Sequence, residues 1–210
     1  MAAKIQKGWV IGIDEVGRGA LAGPVTVAAA MLATDARGRV ISTRFRSLKD
    51  SKKLSPAQRK VLAKEFARDA GVHSAVARVY PRGIEKINIS AAANLAASRA
   101  LLRLLKNHAL AVGTKIYLDG GLFIKSRAYQ EGNAGKLAAK TVIKGDERFP
   151  AVAAASIIAK VSRDRFMVRL AERYPQYGFD IHKGYGTAAH LRAIRKNGPC
   201  AAHRLTFLNK

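Results

Sequence analysis

Trp9-Val10-Ile11-Gly12-Ile13-Asp14-Glu15 is a short apolar run that ends on two adjacent acids. Its five uncharged residues read as a buried strand, which puts both carboxylates at the strand's C-terminal end. The same pattern returns twice. Lys115 to Leu118 is a strand ending at Asp119-Gly120-Gly121, and Lys140 to Ile143 is another that stops just before Asp146. Outward from these, Val25 to Leu32 forms a second apolar strand after Gly23-Pro24. Arg39 to Arg46 pairs with it as a third, and Val72 to Tyr80 is a further strand. Ser55-Pro56 supplies an N-cap and a proline at the first helical position, opening a helix to about Ala70. Ser90 to Ala109 carries Leu95, Leu101, Leu102 and Leu105 at helical spacing, with Ser90 as its cap. Pro150 opens a long helix to about Arg173, and a last helix follows Thr187. Strands come first and then alternate with helices, which predicts an α/β or α+β arrangement around a central mixed β-sheet flanked by helices. With 210 residues and no repeat, low-complexity tract or linker, residues 1–210 are expected to form a single domain.

Three apolar strands that each finish at an acid are more informative than any one acid, because functional groups of open α/β sheets cluster at strand ends. Taken singly, each carboxylate is as well explained by a helix cap or a salt bridge. Taken together they are costly to bury unpaired, and they repel one another unless a cation sits among them. Oxygen donors without cysteine select a hard ion, Mg²⁺ or Mn²⁺. Two such ions about 3.5–4 Å apart can activate a water and stabilise the leaving oxygen of a phosphodiester. Asp14 and Glu15 pose a geometric problem, since adjacent side chains of a regular strand point to opposite faces. They can share a site only if the strand ends or bends between them; otherwise Glu15 contributes its carbonyl.

Lys and Arg total 38 against 14 Asp and Glu, a formal net charge of +24. Such an excess favours a polyanionic partner, most commonly nucleic acid. Ribosomal and membrane-surface proteins share it, so charge supports binding and says nothing of catalysis. Cys200 is the only cysteine, which excludes an intramolecular disulfide and a Cys-rich metal site and fits a reducing compartment. No signal peptide is visible. The most apolar stretch, Ala20 to Ala33, is too short to span a bilayer and contains Gly23 and Pro24. A soluble, cytoplasmic, monomeric protein with no membrane association is expected.

Gly17-Arg18-Gly19-Ala20-Leu21-Ala22-Gly23 comes close to a dinucleotide-binding fingerprint, but its third glycine is one residue late and two acids precede it. Two readings remain: glycines that let backbone N–H groups approach a sugar-phosphate while Arg18 supplies charge, or a tight turn without a ligand. Gly132 to Lys136 has the wrong spacing for a P-loop and is rejected. Asp50-Ser51-Lys52-Lys53-Leu54 suits phosphate contact, or equally a solvated loop. Tyr185, between Gly184 and Gly186 and near Lys183, can present an exposed ring for stacking on a sugar or base. His182, His190 and His203 match no zinc spacing and are expected at the surface. Asp164, four residues after Lys160, reads as half of an intrahelical pair.

Several of these segments, in order, resemble the type II ribonucleases H, specifically the bacterial ribonuclease HII family. They are Gly12 to Gly19, Asp50 to Leu54, Asp119-Gly120, Lys144-Gly145-Asp146, Ala153 to Val161, Arg163-Asp164 and His182 to Thr187, and they span nearly the whole chain. The resemblance implies a ribonuclease H-like fold with a small C-terminal helical portion from about residue 175. It implies Asp14, Glu15, Asp119 and Asp146 as catalytic acids and ligands of two Mg²⁺ or Mn²⁺ ions. Gly17-Arg18-Gly19 would contact the sugar and 2′-OH of a ribonucleotide with help from Tyr185, Lys52 a phosphate, and Asn94 the nucleic acid. Asp164 would be structural. The implied partners are RNA/DNA hybrids and DNA duplexes containing ribonucleotides. The cut would fall on the 5′ side of a ribonucleotide, leaving 5′-phosphate and 3′-OH ends. The competing readings are a non-catalytic basic RNA-binding protein and a DNA nuclease of the same fold.

Overall fold

A computed structural model describes residues 8–46, 48, 53–108, 113–124 and 139–208. Five strands, β1 (Gly8–Val16), β2 (Val25–Thr34), β3 (Val72–Val79), β4 (Lys115–Asp119) and β5 (Ala139–Val142), form one sheet in the order β3-β2-β1-β4-β5. β1 pairs antiparallel with β2 and parallel with β4; β2 and β3 are antiparallel, β4 and β5 parallel. The central strand is therefore the one that carries Asp14 and Glu15.

Helices close both faces of the sheet, which is why all ten residues of β2 are buried. Val25, Val27, Ala29 and Met31 join Ile11, Ile13 and the alanines of α4 (Ile89–Leu105) in one core. The alternate residues Ala28, Ala30 and Leu32 join Ala151, Ala154, Ala155 and Ala159 of the long Pro150–Arg173 helix in the other. The small residues let the helices come close. At Gly12 the approach is closest, since a Cβ there would lie 2.1 Å from the Ala151 carbonyl carbon. A side chain at this position would push the long helix off the sheet, and with it Ser156, Lys160 and Arg163.

Three expectations need correction. Arg39 to Arg46 is not a strand: Val40 makes a single bridge to Thr34, and α1 (Thr43–Arg46) follows, with Phe45 packed edge-on against Phe66 at 4.9 Å. β1 and β3 already occupy the two edges of β2, so no edge is left for another partner. The helix opened by Ser55 and Pro56 does form, α2 (Pro56–Phe66), with a reciprocal capping box between Ser55 and Gln58. It stops short of Ala70 because Asp69 Oδ1 accepts from Gly71 N (2.7 Å) in the turn into β3. α3 (Pro81–Ile87) precedes α4, whose N-cap is Asn88 rather than Ser90; Asn88 Oδ1 accepts from Ala91 N at 3.0 Å. This frees the Ser90 hydroxyl to accept from Arg18 Nη2 at 2.9 Å.

Beyond β5 come α5 (Gly145–Arg148), the long helix α6 (Pro150–Arg173), a 3₁₀ turn (Pro175–Tyr177), α7 (Phe179–His182), α8 (Ala188–Asn197) and α9 (Leu205–Leu208). The C-terminal portion has its own small core of Met167, Tyr177, Phe179 and Ala202 around Ala22. His190 and His203 belong to this interior, at 0 % and 3 % exposure, and are not surface residues. Each is satisfied in one tautomer. A carbonyl only accepts, so His190 Nδ1 donates to the Tyr185 oxygen (2.9 Å). Its Nε2 then accepts from His203 Nε2 (3.1 Å), which leaves His203 Nδ1 to accept from Cys200 N (2.9 Å).

Burial holds the His190 imidazole down at about 4 and also lowers that of His203. The unfolded chain takes up the proton near pH 6.5, the folded chain only near 4. The His190 contribution to stability is therefore complete above about pH 6.5 and is lost as pH drops toward 4, roughly 3 kcal/mol. Thermal unfolding tests this by difference, because buried Asp14 acts in the opposite direction over the same interval. The parent should lose stability relative to His190→Gln as pH falls from 6.5 to 4, and parallel profiles for the two proteins would discard this account.

Candidate active site

The site forms where β1 and β4 part company. Their parallel pairing ends at Ile13–Leu118, while β1 continues beside β2 through Glu15–Val27 and Val16–Thr26. The strand does not end or bend between Asp14 and Glu15. Asp14 keeps the register of the residues facing α6, and Glu15 that of Ile11 and Ile13 facing α4. Both still line one cavity of about 390 Å³, because beyond Ile13 no neighbouring strand separates them on the β4 side. Asp119, one residue past Leu118, lines it too, with Gly17, Arg18, Gly19, Arg59, Ser156, Lys160 and Tyr185.

The acids are the more deeply set group. Asp14 is 7 % exposed, and its carboxyl is pushed up to about 8, chiefly by desolvation and further by the charges of Glu15 and Asp119; hydrogen bonds from Ser156 and the Glu15 N–H work the other way. Glu15 is raised by burial as well, against the pull of Arg18, whose Nη1 lies 3.4 Å from Oε1. Its other oxygen, Oε2, is buried with no hydrogen-bond partner among the described residues. Asp119 Oδ1 accepts from Gly145 N at 2.6 Å, which ties the end of β4 to the turn before Asp146. In that turn Lys144 is left-handed (φ 54, ψ 46), and Asp146 falls in the first turn of α5. Asp146 is 1 % exposed and does not line the cavity.

These acids fit a divalent cation. The donors are all oxygens, they repel one another in a desolvated place, and Glu15 Oε2 is buried with no hydrogen-bond partner among the described residues. Among the described residues no three acid, histidine or cysteine side chains stand gathered ready-made for an ion.

The remaining candidates divide. Gly17 is buried, with φ 82°, and a Cβ on it would lie 2.1 Å from Arg163 Nε, so the fold itself requires this glycine. Gly19 has open space where a Cβ would be, and Arg18 bridges Glu15 and Ser90. Tyr185 is half-buried rather than exposed, with the Arg163 guanidinium 5.4 Å and Lys160 Nζ 6.0 Å from its ring centre. Asn94 does not line the cavity; its Oδ1 accepts from Phe123 N (2.9 Å) and holds the segment after Asp119. Lys52 lies outside the described residues. Asp164 pairs with Lys160 at 3.1 Å, as the spacing predicts.

The model for the family described as ribonuclease HII matches residues 11–210. The chain belongs to this family. It is 41% identical over 198 residues to the ribonuclease HII of Chlamydia caviae, covering 94% of this chain and 83% of that one. With the ribonuclease HII of Caldicellulosiruptor bescii it shares 38% over 200 residues, 95% and 86% of the two chains. The crystal structure of ribonuclease H2 from Pyrococcus horikoshii OT3 superposes with a TM-score of 0.68 at 27% identity, covering 94% of this chain and 93% of that one. Bst-RNase HIII in complex with Mn²⁺ gives 0.70 at 25% identity, covering 98% and 69%. This member of the ribonuclease HII family has a ribonuclease H-like fold and is a metal-dependent endoribonuclease of the ribonuclease H class, acting on RNA/DNA substrates. Among the described residues no helix is long and apolar enough to cross a membrane.

Arg59, Ser156, Arg163 and Arg204 are the residues to which sequence reasoning assigned no role. Arg163 left a trace: Ala159, Arg163 and Met167 follow one another at helical spacing and all are buried, so a charge stands in a core register. Ser156 stands within the Ala153 to Val161 segment that carries the resemblance, though with no role attached, and Arg59 left no trace, since an arginine on a capped helix is unremarked in any sequence.

Proposed function

We propose that this chain, acting as a cytoplasmic monomer and one catalytic domain, hydrolyses the RNA strand of RNA/DNA hybrids. It also cuts on the 5′ side of ribonucleotides embedded in duplex DNA, leaving 5′-phosphate and 3′-OH ends. The observation that carries this reading is that Asp14 and Glu15, both desolvated, line one cavity with Asp119, Gly19 and Tyr185. Asp14, Glu15, Asp119 and Asp146 are assigned as ligands of Mg²⁺ or Mn²⁺, two ions in all. Asp146 enters through the Gly145–Asp119 hydrogen bond, which links its turn to the cavity. When bound, such ions supply a nucleophilic water at neutral pH and charge stabilisation for the leaving oxygen. Glu15 is assigned through its side chain, because Oε2 is buried and faces no donor among the described residues.

The protein's own groups supply the rest. Arg18, Arg59 and Lys160 place positive charge around the acids, suited to the phosphates that flank the scissile bond. Gly17-Arg18-Gly19 and Tyr185 are assigned to the sugar of the ribonucleotide, where a 2′-OH distinguishes RNA from DNA. Lys52 and Asn94 are assigned as further nucleic-acid contacts, Asn94 while also holding Phe123. Incubation with Mg²⁺ and a duplex containing one ribonucleotide, followed by mapping of the ends, tests the reading. One cut immediately 5′ to the ribonucleotide, with no cleavage of the matching all-DNA duplex, is expected. Equal cleavage of the two duplexes would assign a DNA nuclease instead, and no cleavage with any divalent ion a binding protein.

A further inference from the structure

Arg163 and Arg204 are both 0 % exposed, yet every hydrogen bond of their guanidinium groups runs to a backbone carbonyl. Arg163 donates to Pro24 O (3.1 Å), Ala22 O (3.1 Å) and Lys183 O (2.9 Å). Arg204 donates to Gly17 O (2.7 Å), Arg18 O (2.8 Å) and Gly23 O (3.0 and 2.9 Å). Burying a guanidinium without a carboxylate is expensive, and well-packed apolar side chains in its place are often neutral or stabilising. Two such groups side by side therefore call for a reason beyond stability.

Where the bonds land supplies it. All but one fall on residues 17–24, the loop that joins β1 to β2, and the other falls on Lys183, two residues before Tyr185. Arg163 also lies under the Tyr185 ring, 5.4 Å from its centre. The loop and the turn touch directly as well, since Leu21 N and Ala22 N both donate to Gly184 O (2.8 and 3.2 Å). The Gly17 and Arg18 carbonyls are thus turned inward onto Arg204, and the loop carrying Gly19 is braced against the turn carrying Tyr185.

We propose that Arg163 and Arg204 are positioning residues: buried guanidiniums that set the gap between the Gly17–Gly23 loop and the Lys183–Tyr185 turn, and through that gap the preference for a ribose 2′-OH. The proposal rests on the assignment of Gly17-Arg18-Gly19 and Tyr185 to the ribonucleotide sugar. A planar fork of donors is needed to hold several carbonyls at once, so lysine, a point charge on a flexible stem, cannot replace it.

The test measures dissociation constants of the full chain, without divalent ions, for a duplex with one ribonucleotide and for the all-DNA duplex of the same sequence. Arg204→Lys and Arg163→Lys should each lower the ribonucleotide preference by about tenfold, with all-DNA affinity within about twofold of the parent. Thermal unfolding identifies which variants are folded, and either folded variant suffices. A folded lysine variant that keeps the parent ratio overturns the proposal, as does one that loses both affinities in parallel, the mark of a merely structural role. Tyr185→Ala separates the two levels. If it too keeps the ratio, the assignment of the sugar contacts fails and the proposal falls with it. If it abolishes the ratio while the lysine variants do not, the proposal alone falls.

Discussion

Asp14→Asn is expected to reduce cleavage of a ribonucleotide-containing duplex by about 1,000-fold or more, equivalent to ~4 kcal/mol of transition-state stabilisation. The same change should raise the thermal stability of the metal-free protein at mildly alkaline pH. Both effects have one origin. Asp14 is buried, next to Glu15 and Asp119, and its carboxyl is pushed up from 3.8 to about 8. In the unfolded chain it ionises near 3.8, so between that pH and about 8 the folded state holds a proton that the unfolded state has released. The Asp14 contribution to stability falls as pH rises through the interval, at about 1.4 kcal/mol per unit for a full proton difference, against the opposite His190 contribution below about pH 6.5. Asparagine carries no proton to lose and removes the slope. A divalent ion should reverse the sign for the parent, by favouring the ionised carboxylate, and do little for the variant. Melting curves at about pH 5 and about pH 8, with and without Mn²⁺, measure all of this. Wild-type cleavage by the variant, or an identical pH slope in the two metal-free proteins, would dismiss Asp14 as the central ligand.

Gly19→Val should lower kcat/KM on the same duplex by about 100-fold while leaving the melting temperature nearly unchanged. Gly17 and Gly19 look equivalent in the sequence, but the structure separates them. A side chain at Gly17 would strike Arg163, so its replacement confounds folding with function. At Gly19 a Cβ meets nothing within 4 Å and the residue is exposed, so the free protein tolerates a larger residue there. Among the described residues nothing stands where such a side chain would go. Backbone approach of a sugar-phosphate is the obstruction expected, and Gly19→Ala should give a smaller loss of the same kind. A valine variant with parent kinetics would show that nothing closes on this part of the loop.

The acid pattern was legible because its cause is local. An apolar run that ends on a carboxylate declares a strand near its end, as at Asp14 and Asp119, whereas Asp146, read in the same way, stands in the first turn of α5 and outside the cavity. The helix starts at Ser55 and Pro150 and the Lys160–Asp164 pair were legible for the same reason, since caps and four-residue spacings are short-range chemistry. Some errors have long-range causes, while the early end of α2 and the cap at Asn88 are set by local turns. Arg39 to Arg46 carries strand-like residues, but β3, more than thirty residues further on, takes the edge it would need. Asn88 displaced Ser90 as cap because a left-handed turn ends α3 there, and Ser90 was drawn to Arg18 across the loop.

By itself, then, the sequence determined the class of fold, the strands that carry Asp14, Glu15 and Asp119 and the hard-ion chemistry that acid side chains can support, because spacing and side-chain type decide these. Only the tertiary structure decided that Asp14 and Glu15 meet in one cavity, since that depends on where the β1–β4 pairing stops. It likewise decided that His190 and His203 are interior and that Arg163 and Arg204 brace the glycine loop. Each of those outcomes is a contact between segments far apart in the chain, and a buried histidine or arginine is distinguishable from an exposed one only by what folds over it.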